Sequence, residues 1–236
     1  DLGIKSINMK NRSLLLLATF TLFTNTLYSQ TSYIDYQSPF HPIISDGPMV
    51  VSQNHLSSEV GIEIIKNGGN AVDAAVAVGF SLAVTLPRAG NLGGGGFMLI
   101  YIKDQNEILA IDYRGQSPSE LKANQIFGLE LPKEYKNANR DIVRYGYKAS
   151  TIPGTVSGLL LAHAEFGKLP LKEVMKPAID QAMNGFHVSF DLEQAIGSAP
   201  QLSWDDESSK IYLSHGKPLK EGSVMKRPDL ANTMNL

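Results

Sequence analysis

GGGGFMLIYI (residues 93–102) and ILAIDYR (residues 108–114) are the most informative segments of the chain. Their apolar runs predict two strands, joined by turn-forming residues at 104–106. Strand alternation places Arg114 on the same face of the second strand as Asp112. The unit therefore combines a glycine loop, a β-hairpin and an arginine at the end of a strand.

Two helices are predicted before the glycine loop. Apolar residues recur at helical spacing over residues 55–67, and the glycines that follow are expected to end this helix. Residues 71–86 are apolar on nearly every side, so we expect the second helix to be buried. Asn70 is suited to cap its first turn, together with Asp73.

The pattern after the hairpin predicts a loop-rich stretch at 115–150, followed by more helices than strands. Helices are predicted over residues 156–166, 171–184 and 189–196. Short strands are predicted over residues 49–52, 211–213 and 223–225. Arg227 and Pro228 open a further helix, and the chain is expected to stop before that helix is capped, as in a truncated protein. This mixture predicts an α+β fold with helices packed on a sheet.

Composition excludes several classes of function. The formal net charge is −2, and its 21 basic and 23 acidic residues are interspersed, which argues against a nucleic-acid partner or a polybasic membrane patch. The chain has no cysteine, which excludes disulfides, a thiolate nucleophile and cysteine-based zinc sites. No two of its five histidines have helical metal-ligand spacing. Neither a metal nor a cofactor is predicted.

The N-terminus has the ordered features of an export signal. A basic start at 9–12 precedes the apolar run LLLLATFTLF at 14–23, which is too short to span a bilayer, and polar residues follow it. We expect a signal peptide over residues 9–29 with cleavage after Ser29, and hence a periplasmic or secreted protein. A buried helix or a membrane anchor is the alternative.

The remaining domain boundaries follow from this assignment. Residues 1–8 precede a natural start at Met9 and are expected to be upstream, non-native sequence. Residues 30–47 are expected to be an extended mature N-terminus. Residues 48–236 are expected to be part of one domain.

The glycine loop does not fit a phosphate site, because it runs into a strand and no Lys-Ser or Lys-Thr pair closes it. Positive φ angles or a close approach of the backbone are the favoured explanation of the glycines. Arg114 offers a planar donor fork that suits a carboxylate, and an ion pair with Asp112 is the alternative. The chain lacks a G-x-S-x-G motif, and local chemistry indicates no nucleophile.

Several ordered segments resemble the gamma-glutamyltranspeptidase family, also called gamma-glutamyltransferases or glutathione hydrolases. They are GGNAVDAAVA at 68–77, AGNLGGGGFM at 89–98, IDYR at 111–114, IPGTVSG at 152–158, FGKLP at 166–170 and PAI at 177–179. Because they follow one another in the family's order over residues 48–236, the chain resembles the N-terminal, large-subunit part of the family.

The resemblance implies an N-terminal-nucleophile hydrolase fold, a four-layer αββα sandwich that is incomplete in this chain. It implies a precursor that cuts itself into a large and a small subunit, whose new N-terminal threonine is the nucleophile. That threonine would attack glutathione or another γ-glutamyl donor, and the γ-glutamyl group would pass to water or to an amino-acid or peptide acceptor. All catalytic residues are expected beyond Leu236, so the chain alone is expected to be inactive.

Arg114 matches the family arginine that binds the α-carboxylate of the donor. The family usually continues in an Arg-Glu-x-x-Pro pattern, whereas Gly115, Gln116 and Ser117 precede Pro118 here. Gly115 keeps two alternatives open. One is a cephalosporin (glutaryl) acylase-like enzyme, and the other is a non-catalytic envelope protein on the same scaffold.

Overall fold

The computed structural model describes residues 44–121 and 149–236. The chain divides into two units, Asp1–Asp46 and Gly47–Leu236, and every element below belongs to the second. The predicted signal peptide at 9–29, residues 1–8 and most of the expected mature N-terminus lie outside the described residues, as does most of the loop-rich stretch.

Helices and short strands alternate along the second unit. The described helices are α1 (His55–Lys66), α2 (Ala71–Thr85), α3 (Thr155–Phe166), α4 (Leu171–Asn184), α5 (Phe190–Gly197), α6 (Asp206–Tyr212) and α7 (Pro228–Met234). The described strands are β1 (Phe97–Ile102), β2 (Glu107–Asp112), β3 (Phe186–His187), β4 (Leu213–Ser214), β5 (Lys217–Pro218) and β6 (Val224–Met225). They pair antiparallel as β1–β2, β3–β6 and β4–β5. None of these helices has the length and apolar character needed to cross a bilayer.

Helix α2 is the centre of the core, as its apolar sequence predicts. Helices α1, α3 and α4 all pack against it. Val76, Ala77 and Val84 have no exposed surface, and Phe80 is 1% exposed. Burying a side chain such as Val or Phe contributes about 1.5–3 kcal/mol, so this helix supplies a large share of the folding free energy.

The first turn of α2 is held by a capping box. The Asn70 side chain accepts hydrogen bonds from the N–H groups of Val72 and Asp73, and the Asn70 N–H donates to the Asp73 carboxylate. That carboxylate is fully buried, and it also accepts hydrogen bonds from the backbone N–H groups of Lys168 and Leu169. Asp73 thus joins the start of α2 to the loop between α3 and α4.

A buried cluster of hydroxyl groups lies between α1, α2 and α4. The Ser57 hydroxyl is 2.7 Å from that of Ser81 and 2.9 Å from that of Thr85. The Ser81 hydroxyl donates to Oε1 of Gln181 at 2.7 Å, and the Thr85 hydroxyl donates to the Ser81 carbonyl. Because these hydroxyl groups have hydrogen-bond partners, their burial does not leave costly unpaired groups.

The β1–β2 hairpin has two different faces. Met98, Ile100 and Ile111 are partly buried and pack against the core. The opposite face of the hairpin is apolar but exposed. Its large side chains are Phe97 (62% exposed), Leu99 (75%), Tyr101 (60%) and Ile108 (70%).

Three local predictions were wrong. Residues 49–52 form no strand, and Val50 instead lies beside Gly61 of α1. Of the strand predicted at 211–213, only Leu213 lies in a strand, β4, because residues 211 and 212 belong to helix α6, whose first turn is capped by the Asp205 side chain. Helix α7 is capped within the chain, since the Asn235 N–H donates to the Ala231 carbonyl.

Candidate anion-binding site around Arg114

Arg114 lies two residues beyond the end of β2, where the glycine loop continues the hairpin. The Gly96 N–H donates to the Tyr113 carbonyl, and the Tyr113 N–H donates to the Gly96 carbonyl at 3.0 Å. The Arg114 N–H donates to Oδ1 of Asp112 at 3.0 Å. These bonds fix the backbone of Arg114 at the edge of the hairpin.

The glycine loop allows the backbone to approach this segment closely. None of the residues at 93–96 is among those with positive φ, so the alternative of a left-handed loop is wrong. A Cβ atom on Gly95 would lie 2.7 Å from the Tyr113 carbonyl oxygen and 2.9 Å from the Arg114 carbonyl carbon. Any side chain at this position would therefore displace the backbone of Arg114.

The start of α3 closes the other side of the site. The N–H groups of Gly154 and Thr155 both donate to the Gly94 carbonyl, at 2.9 and 3.1 Å. Gln116 and Ile152 exchange two backbone hydrogen bonds, at 3.1 and 2.8 Å. Arg114 is thus held between the glycine loop and the segment that leads into α3.

Gly115 fits closely against this segment. A Cβ atom at position 115 would lie 2.5 Å from the Thr151 hydroxyl oxygen and 3.1 Å from its Cβ. A side chain after Arg114 therefore requires Thr151 to move. Gly115, which stands where the Arg-Glu-x-x-Pro pattern has Glu, thus lies closely against the Thr151 side chain.

A cavity of about 300 Å³ opens beside Arg114. Its polar lining includes Asp112, Arg114, Gln116 and Ser157. In the described parts of the chain, no carboxylate lies at ion-pair distance from the Arg114 guanidinium. The alternative of an ion pair with Asp112 is therefore wrong, and the Asp112 carboxylate accepts from the backbone N–H of Arg114 instead.

Tyr113 lines the same cavity and is partly buried. Burial raises the pKa of the Tyr113 phenol above its usual value of 10.0, so its hydroxyl is neutral at physiological pH. That hydroxyl donates to the Phe97 carbonyl at 3.4 Å. The arginine therefore brings positive charge to the cavity without a neighbouring phenolate.

Sequence reasoning missed the role of Phe97. The centroid of its ring is 5.9 Å from Cζ of Arg114, within the range of a cation–π contact. The signal was present, because the hairpin register pairs Phe97 with Asp112 and alternation puts Arg114 on that face. Across the described residues, no group of three or more metal-binding side chains comes together.

The sequence and the structure both match known proteins. Residues 57–236 match the family model described as gamma-glutamyltranspeptidase. The glutathione hydrolase proenzyme of Escherichia coli is 40% identical over 207 residues, which are 87% of this chain and 35% of that protein. The chain thus spans about a third of the length of the curated relatives it matches.

Two solved structures show the same architecture. The gamma-glutamyltranspeptidase of Helicobacter pylori matches with a TM-score of 0.74 and 33% identity, covering 82% of this chain and 55% of that one. The cephalosporin acylase of Bacillus halodurans matches with a TM-score of 0.66 and 26% identity, covering 86% of this chain and 39% of that one.

These likenesses confirm the α+β, N-terminal-nucleophile hydrolase fold, of which the described residues form part. The family model covers the core, the hairpin and the arginine site together. The chain therefore belongs to the gamma-glutamyltranspeptidase family.

Proposed function

We propose that the full-length protein is a gamma-glutamyltransferase and glutathione hydrolase. Its donor would be glutathione or a related γ-glutamyl compound, and its acceptor water, an amino acid or a peptide. Membership of the family and 40% identity to a glutathione hydrolase proenzyme support this activity. The observation that carries the proposal is an exposed arginine beside a cavity, with no described carboxylate as its partner.

Arg114 would bind the α-carboxylate of the donor. A guanidinium can donate two parallel hydrogen bonds to a carboxylate, and this pairing fixes the orientation of the acid as well as its position. The glycine loop and the segment leading into α3 hold the arginine's backbone, so its side chain starts from a fixed point. The γ-amide of the donor would then extend away from Arg114 toward the nucleophile.

The reacting groups would come from the remainder of the protein. The hydroxyl of an N-terminal threonine would attack the γ-carbonyl carbon, with its own α-amino group accepting the proton. The amide C–N bond would break, and that proton would leave with the departing amine. Water or an acceptor amine would then attack the γ-glutamyl ester and release the threonine. The described chain contributes donor binding to this sequence.

This division of roles requires a second subunit, which we place in the same precursor. The Escherichia coli relative is a glutathione hydrolase proenzyme, which supports processing. We also propose export to the periplasm or beyond, on the basis of the signal-peptide pattern at 9–29. N-terminal sequencing of the protein recovered from the cell envelope tests this. We expect a mature start at Gln30, whereas an intact N-terminus would contradict export with cleavage.

The proposed activity is distinguished from its alternatives by two chromogenic donors offered to the purified full-length protein. A γ-glutamyl anilide carries an α-amino group, whereas a glutaryl anilide has the same carboxylate without it. We expect release of nitroaniline from γ-glutamyl p-nitroanilide, accelerated by a dipeptide acceptor. Preference for the glutaryl compound would indicate an acylase, and no turnover of either would indicate a non-catalytic protein. The isolated 236-residue chain is expected to release none.

A further inference from the structure

Phe97 is placed beside Arg114 by the backbone of the hairpin. It is the first residue of β1 and follows the glycine loop directly. Its cross-strand partner is Asp112, whose carboxylate accepts from the Arg114 N–H. Its carbonyl accepts from the Tyr113 hydroxyl. The positions of the ring and of the arginine's Cα are thus set by the same few strand residues.

The ring has no role in the core. Its side chain is 62% exposed, on the face of the hairpin that points away from the helices. What it contacts is the guanidinium, with 5.9 Å between the ring centroid and Cζ of Arg114. An aromatic face attracts a cation without neutralising it, unlike a carboxylate. The arginine therefore has a partner that limits its motion and leaves its charge available.

We propose that Phe97 is a positioning residue that holds the Arg114 guanidinium in the orientation that receives the donor carboxylate. This inference rests on the proposed function of Arg114. A long arginine side chain loses rotamer freedom when it binds a ligand, and a preformed contact lowers that loss. The contact between the ring and the guanidinium should therefore affect donor binding and leave the chemical step unchanged, since the ring acts through Arg114.

The proposal differs from a purely structural role for an exposed apolar ring. Leu99 lies two residues further along the same strand face, is 75% exposed and pairs with Ala110 instead of Asp112. If the face only has to be apolar, for example to pack against other parts of the protein, then Leu99 and Phe97 should behave alike. Leu99→Ala is therefore the matched control for Phe97→Leu.

The experiment uses the full-length protein and steady-state kinetics with γ-glutamyl p-nitroanilide. For Phe97→Leu we expect KM to rise roughly twofold to fivefold with kcat unchanged, the size of an exposed cation–π contact. Phe97→Trp keeps an aromatic face and should therefore retain the parent KM. Leu99→Ala should leave both KM and kcat unchanged. An unchanged KM in Phe97→Leu, or an equal rise in Leu99→Ala, overturns the proposal.

A second measurement keeps the test independent of folding. Phenylalanines carrying one, two and three ring fluorines are placed at position 97, which weakens the π face stepwise while preserving shape. We expect log KM to rise steadily with the number of fluorines, and a flat series overturns the proposal. Arg114→Ala distinguishes a failure of the role proposed for Phe97 from a failure of the role proposed for Arg114. If it raises KM while the fluorine series is flat, only the role of Phe97 fails, whereas no effect of Arg114→Ala removes both roles.

Discussion

Helix α2 and the β1–β2 hairpin come from similarly apolar stretches of sequence but have opposite environments. Side chains of α2 such as Val76 and Val84 have no exposed surface, because helices surround it. The hairpin buries one face and leaves Leu99 and Ile108 at least 70% exposed on the other. Most apolar side chains of α2 are thus buried, whereas those of the hairpin are covered on one face only.

The helical core and the edge of the hairpin contribute differently to stability and to the proposed activity. In the core, buried polar groups such as the Asp73 carboxylate and the Ser81 hydroxyl have partners inside the described residues. The hairpin and the glycine loop hold Arg114 by backbone contacts, and Arg114 is an exposed residue that lines a cavity. Changes in the core should therefore lower the stability of the whole protein, and changes at the edge of the hairpin should lower activity first.

The largest effect is expected from Asp73→Ala in the core. The change removes a fully buried carboxylate and leaves the N–H groups of Asn70, Lys168 and Leu169 without their acceptor. We expect a loss of at least about 3 kcal/mol in the free energy of unfolding, since three hydrogen bonds to a charged group are lost and each is worth about 1.5–3 kcal/mol. Urea unfolding of the full-length protein measures it. Glu63→Ala, on the exposed side of α1, is the control, and equal midpoints would contradict this account.

The next effect is expected from Gly158→Ala, at the boundary between the two regions. A Cβ atom at position 158 would overlap the Tyr113 side chain at its Cβ and at ring atom Cγ. Overpacking of this kind costs about 1–3 kcal/mol, and relief requires Tyr113, and with it Arg114, to shift. We expect donor KM to rise while the far-ultraviolet circular dichroism is retained. Gly197→Ala has only Pro218 as a distant neighbour at 3.9 Å and should change neither quantity.

A smaller effect is expected from Ser81→Ala. The Ser81 hydroxyl lies between Ser57 and Gln181, so its removal leaves Gln181 without this donor. We expect a loss of about 1–2 kcal/mol, which a lower midpoint of thermal unfolding would report. Activity at low temperature should be retained, because none of the side chains of this cluster lines the cavity beside Arg114. A gain in stability would show that the cluster is not stabilising.

Much of this arrangement could be predicted from sequence. Helical periodicity and the Asn70–Asp73 capping pattern gave α1 and α2 within one or two residues, because local chemistry determines them. Alternation gave the correct faces of the hairpin, and eliminating a phosphate site left two explanations of the glycines, of which the close approach is the correct one. These features depend on residues near one another in the chain.

The remaining features depend on contacts that a sequence does not display. Residues 49–52 are as apolar as a strand, but no neighbouring strand pairs with them. An Asp112–Arg114 ion pair was the alternative because both residues share a strand face, whereas the carboxylate accepts from a backbone N–H instead. The close fit of Gly115 against Thr151 joins two segments that are 36 positions apart in the sequence, and only the fold brings them together.

The smallest effect is expected in the pH dependence of folding stability, through the phenol of Tyr113. Burial raises the pKa of the Tyr113 phenol, so the folded protein holds this proton more tightly than the unfolded chain. The resulting stabilisation is fully present below pH 10.0, the unfolded value, and is lost as pH rises through the folded pKa. We expect Tyr113→Phe to flatten the fall in melting temperature above pH 10.0. An unchanged profile would assign that fall to other groups.

Recognition of the donor carboxylate by Arg114 can be measured with two enzyme forms and two donors. Arg114 and Arg114→Ala forms of the full-length protein are compared on a γ-glutamyl anilide and on a γ-aminobutyryl anilide, which lacks only the α-carboxylate. We predict that Arg114→Ala lowers kcat/KM for the γ-glutamyl compound roughly 30- to 150-fold, or about 2–3 kcal/mol. The same substitution should leave the γ-aminobutyryl compound nearly unaffected. An equal loss on both donors, or no loss on either, would contradict the account.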